Sequence, residues 1–202
     1  MPGSSLVAMG RALVASGLVP KRAILAAAVR DARFRRRGSS DCEAAGLRDQ
    51  ALAAVAGLER APLLAADVAD KVVATVSPGA RLLVELHLVA GDFCVLLSAS
   101  PQELVEAVCA RLGLHRAVGT RAEVVDDHYT GRLAGPFCCG RGKVARLGEA
   151  LGPVDLGRAW AYADSLSDLP ILEASGHPVA VNPDRHLSAV ASKSGWPVLR
   201  VA

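Results

Sequence analysis

The sequence is poor in aromatic residues, in lysine and in paired cysteines. Three Phe, two Trp and two Tyr among 202 residues leave the core to be built from Ala, Val and Leu. They also leave no stacking platform of the kind that holds single-stranded nucleic acid. Lysine occurs only at Lys21, Lys71, Lys143 and Lys193, and the net charge of +3 is too small to argue for a polyanionic partner. The one basic cluster, Arg30, Arg33, Arg35, Arg36 and Arg37, ends a helical pattern, where the helix dipole favours cations. No nucleic-acid partner is expected.

Cys42, Cys94, Cys109, Cys138 and Cys139 form no CxxC pair and no regular framework. An odd count without a charged leader before the first apolar stretch reads as reduced thiols in a cytoplasmic chain. No uninterrupted apolar run approaches the roughly 18 residues of a membrane span, so no membrane partner is expected.

Common catalytic signatures are missing too. "GRGKV" is not a phosphate-binding P-loop: Phe137 stands where its first glycine belongs, and Val144 replaces the hydroxyl residue. There is no GxSxG, and the five histidines show no HExxH spacing.

What is present is globular, with 51% hydrophobic and 21% charged residues. Apolar residues recur at helical spacing over 6–18, 23–34, 44–58 and 63–76. "SPGARLLVELH" begins another helix, with Ser77 as N-cap and Pro78 at its first position. Strand and helix then alternate. "FCVLLS" is a strand, and Ser100, Pro101 and Glu103 read as a capping box opening the next helix. "RAVGT" is a strand, "AEVVDDHYTGRLAG" a hairpin turning at Asp126, Asp127 and His128, and "GRGKVARLGEALG" a helix. "RAWAYAD", "LPILEASG", "HPVAVN", "PDRHLSAVASKSG" and "WPVLRV" continue the series. The alternation predicts an α/β fold, a parallel sheet covered by helices.

In such sheets ligands bind at the carboxyl ends of the strands. Ser98 ends one strand, Lys143 opens the helix after a glycine-rich loop, and Asp164 ends "AWAYAD". Asp164 offers an oxygen ligand to Mg²⁺, which takes few carboxylates and keeps several waters. Lys143 supplies a fixed charge for a phosphate or a carboxylate. Ser98 offers a hydroxyl, with the amides of Ala99 and Ser100 at a helix start. Together they describe phosphoryl chemistry. Each also has a plain structural reading: Asp168 as an N-cap before Pro170, Ser98 as a strand-end partner, Lys143 as a solvated helix residue.

"CVLLSAS" (94–100), "GRGKVARL" (140–147) and "AYADSLSDLPILEASGHPVAVNPD" (161–184), in this order, resemble the haloacid-dehalogenase-like phosphohydrolases, in their phosphoserine-phosphatase-like branch, subfamily IB. The resemblance covers essentially the whole chain. It implies a Rossmann-like core over 77–202 and a helical cap over 1–76. It also implies a Mg²⁺-dependent phosphomonoesterase that acts on a small phosphorylated metabolite through an aspartyl-phosphate. Ser98 and Lys143 would be catalytic, and Ser98, Ala99 and Lys143 would bind the phosphoryl group. Asp164 and Asp168 would serve the metal.

One departure stands against this. The family's nucleophile and general acid are aspartates of a DxDxT motif, on a central strand before the cap, and this sequence contains no DxD. Asp67 and Asp70 fall in a helical pattern, and Asp126 and Asp127 in a turn. The expectation is a chain without its first central strand, through a misassigned start or a truncated gene, and inactive as written. The alternative is a non-catalytic phospholigand-binding or regulatory homologue. Ala99 and Ser100 stand where phosphoserine phosphatases usually carry glycines, which leaves the substrate open. Oligomeric state is not legible.

Overall fold

A computed structural model describes residues 62–201, together with 46, 48, 49, 52, 53 and 55–60. The helices expected over 6–18 and 23–34, the arginine cluster and Cys42 lie outside the described residues. Helix α1 (Pro62–Ala74) buries Val68 and Ala69 against Leu104 and Val108. Helix α2 (Pro78–Val89) starts as the sequence predicts, with Pro78 in its first turn and the Ser77 hydroxyl accepting from the amide of Ala80. Among the described residues no single helix is long and apolar enough to cross a membrane.

The core is a parallel α/β arrangement. Strand β1 (Val95–Pro101) leads through α3 (Gln102–Arg111) to β2 (Arg116–Thr120), which pairs parallel to it. The capping box expected at Ser100 does not form. β1 runs on to Pro101, which takes the N-cap position without a side-chain cap, and Ser100 is buried in the strand. Its amide donates instead to the hydroxyl of Ser98. A hairpin follows, β3 (Ala122–Val125) and β4 (His128–Leu133). Asp126 and Asp127 form its turn at φ +48° and +61°, the left-handed pair that a two-residue hairpin demands. His128 belongs to the strand, not the turn.

Helix α4 (Arg141–Leu151) precedes β5 (Trp160–Ala163), α5 (Leu169–Ala174), β6 (His177–Val181), α6 (Arg185–Ser194) and β7 (Val198–Leu199). The last three strands form one parallel sheet in the order β5-β6-β7. Among the described residues β1 pairs only with β2, and β5 only with β6, so the strands lie in two half-sheets. Side chains join the halves. Ile171 of α5 packs against the buried cluster of Val118, Cys138 and Leu147, as Val95 and Leu97 of β1 do, and His87 of α2 meets the Tyr162 hydroxyl at 2.7 Å.

The outer edge of β2 is covered. Gln102 accepts from the amide of Gly119 and donates to the carbonyl of Ala117, while buried Arg146 donates to the carbonyl of Gly119. Such side-chain bonds satisfy an edge that would otherwise template pairing with another chain.

Candidate active site

The structure puts Ser98 inside β1, Lys143 in the first turn of α4 and Asp164 directly after β5. Ser98 lies in the middle of β1, where its register with β2 shifts between Leu97 and Pro101, and its hydroxyl oxygen accepts the Ser100 amide at 3.2 Å. A serine oxygen that accepts one bond keeps its proton to donate to a ligand. Ala99 is exposed, and its carbonyl accepts from the Thr120 hydroxyl at 2.8 Å. That same Thr120 oxygen accepts the amide of Cys138 at 3.3 Å. Thr120 thereby ties the end of β1 to the loop that delivers Lys143.

The approach of that loop sets the start of α4. A Cβ on Gly142 would fall 1.8 Å from the carbonyl oxygen of Phe137, so only glycine lets the backbone pass there. Lys143 follows within the first turn and is buried, its side chain 9% exposed. Its Nζ lies 2.6 Å from Oδ1 of Asp168, whose side chain is 14% exposed. An ammonium this sheltered needs a partner, because desolvation without one costs several kcal/mol. Cys138 lies beside the pair, wholly buried, and burial pushes its thiol up to about 11 against the opposing pull of Lys143 and Arg146. It is an inert core side chain, not a nucleophile.

Asp164 directly follows β5 and is exposed. Ser165 then folds the loop into a short 3₁₀ turn (Leu166–Asp168), its hydroxyl accepting from the amide of Ser167. Asp168 occupies the N-cap position of α5 but makes no side-chain cap bond there; its carboxylate goes to Lys143. Of the expected metal pair, Asp164 faces solvent, while Asp168 orients the lysine. Among the described residues no group of three His, Cys, Asp or Glu side chains converges on one point. Asp164 is the exposed carboxylate of this loop that could hold a cation, and a single carboxylate is compatible with Mg²⁺, which takes few carboxylates and keeps several waters.

Lys143 and Asp168 are thus in direct contact, and Ser98 connects to them through Thr120 and the Cys138 loop. Sequence reasoning missed Thr120, because a hydroxyl ending a strand carries no local signal of the segments it joins. It also gave no role to Asp184, which caps α6 and holds the 164–168 loop.

Comparison with known proteins follows the same lines. Residues 1–173 match the family model described as haloacid dehalogenase-like hydrolase. Over 97% of its length the chain is 39% identical to the phosphoserine phosphatase SerB1 of Mycobacterium tuberculosis, of which it covers 66%. Over 65% of its length it is 36% identical to a histidinol-phosphatase of Neisseria meningitidis, of which it covers 62%. The chain spans about two thirds of the length of these relatives. Among solved structures, a protein of unknown function from Bordetella pertussis Tohama I superposes with a TM-score of 0.79 at 26% identity, covering 98% of this chain and 92% of that one.

Proposed function

The chain belongs to the haloacid dehalogenase-like hydrolases, and on that premise we propose that its strand-end rim binds the phosphoryl group of a small phosphomonoester for hydrolysis. The buried ion pair of Lys143 with Asp168 carries this reading. Asp168 fixes the ammonium at the rim, where it meets phosphoryl oxygens and offsets their charge. Ser98 donates its remaining proton to another phosphoryl oxygen. Asp164 is the residue to hold Mg²⁺, which would supply Lewis-acid charge neutralisation.

These parts bind and orient; they do not attack phosphorus. The 202 residues contain no DxD, so the aspartate that would form the aspartyl-phosphate is not among them. We expect negligible turnover from this chain as it stands. That same absence favours a second reading, a non-catalytic phospholigand-binding protein on the same scaffold.

Phosphoserine and histidinol phosphate, the substrates in the relatives' names, head the panel of ligands to test. Purified chain is titrated with each to measure binding, and incubated with each, and with p-nitrophenyl phosphate, in Mg²⁺, with phosphate release measured. Binding without turnover is the expected result. Robust Mg²⁺-dependent release would overturn the expectation of inactivity, and absence of binding would overturn the phosphoryl site.

A further inference from the structure

We propose that Asp184 is the positioning residue for the loop that carries Asp164 and Asp168; its bearing on ligand binding rests on the phosphoryl-site reading above. Asp184 lies beyond β6, far along the chain from that loop, yet four hydrogen bonds converge on it. Two hold its own helix: Oδ1 accepts the amide of Leu187 at 2.8 Å, and its carbonyl accepts that of Ser188 at 2.9 Å. Two hold the loop: Oδ2 accepts the amide of Leu166 at 3.1 Å, and the amide of Asp184 donates to the carbonyl of Asp164 at 2.8 Å.

The carboxylate therefore serves two helix starts at once. Leu166 opens the 3₁₀ turn and Leu187 lies in the first turn of α6, and amides there have no partner within their own helix. A negative charge between two such starts is favoured by both sets of amides. The loop's other bonds within 165–168 are internal: Ser165 accepts from the amides of Ser167 and Asp168. Those bonds shape the turn without fixing it to the sheet. Asp184 fixes its head, and the Lys143–Asp168 pair fixes its tail.

The two oxygens of Asp184 can be separated by substitution. In Asp184→Asn, Oδ1 still caps α6, since asparagine is as good an N-cap as aspartate. Its amide nitrogen, however, is a donor and cannot accept from Leu166. Asp184→Ser also caps α6 but is too short to span both amides.

The test compares the wild-type 202-residue chain with both variants by amide hydrogen exchange and by titration with inorganic phosphate in Mg²⁺. We expect exchange at Leu166 to Asp168 to rise by about tenfold or more, the factor that loss of a hydrogen bond to a charged group implies. Exchange at Leu187 and Ser188 stays within about twofold, as a retained cap requires. Phosphate affinity falls in parallel with the loop exchange. Equal loosening of both segments would make Asp184 a helix cap only and overturn the proposal, as would unchanged exchange in the loop. A loosened loop with unchanged phosphate affinity would overturn its bearing on ligand binding. If the wild-type chain binds no phosphate while the exchange contrast holds, the phosphoryl-site reading falls and Asp184 stands as the clamp of the loop.

Discussion

Lys143 Nζ and Asp168 Oδ1 lie 2.6 Å apart, although one residue opens α4 and the other ends the turn after β5. The pair ties α4 to the loop that follows β5.

Removing one partner leaves the other sheltered without compensation, at a cost of about 3–5 kcal/mol. Lys143→Ala and Asp168→Ala should each lose stability on that scale in urea denaturation. Lys143→Met combined with Asp168→Leu should recover much of the loss, since an apolar pair of similar volume avoids the desolvation penalty. Additive losses in the double variant would show that the two residues act independently.

Gly142 is the position where backbone passage decides the geometry. Gly142→Ala sets a methyl group 1.8 Å from the Phe137 carbonyl, so the backbone must shift. Overpacking of this kind costs about 1–3 kcal/mol, and here it moves the first turn of α4 with Lys143. The expected result is a lower urea midpoint and a weaker phosphate affinity together. A variant as stable and as tight as wild type would contradict the close approach.

Cys138 gives a pH dependence with a defined sign. Burial raises its thiol from 9.0 to about 11, so in that interval the unfolded chain loses a proton that the folded chain keeps. Its contribution is complete below 9 and is lost as pH rises towards 11. Urea midpoints should fall over this range, and Cys138→Ala should flatten part of the fall. Tyr129, pushed up to about 12 chiefly by burial, contributes with the same sign at higher pH and should persist in that variant. A midpoint independent of pH from 9 to 11 would contradict the assignment. The buried thiol should also resist alkylation in the native state.

Much of the rim was legible because its parts are local in sequence. Each strand is a short apolar run, and the residue following β5, Asp164, lands at its carboxyl end by topology alone, whereas Ser98 lies inside β1 and Lys143 in the first turn of α4. Ser77 and Pro78 announced α2 for the same reason. Ser100 misled, because the capping pattern depends on a free hydroxyl and a free amide. The strand buries the residue, and Ser98 takes its amide. Thr120 and Asp184 were illegible as joints, since each acts on segments about 18 residues away, a distance no helix or strand period encodes. Asp168 could be placed but not assigned, because cap and ion-pair partner look alike until Lys143 is seen beside it.

The proposed phosphoryl site comprises Ser98, Lys143 and Asp164. Its most direct test is a titration of the labelled chain with inorganic phosphate in Mg²⁺, followed at the backbone amides. Saturable shifts centred on residues 98–100, 142–144 and 164–168, abolished in Lys143→Ala, are the expected result. Shifts centred instead on a separate cavity beside β2, lined by Arg116, Arg121 and Arg146 together with Glu106 and Glu149, or no shifts at all, would contradict it.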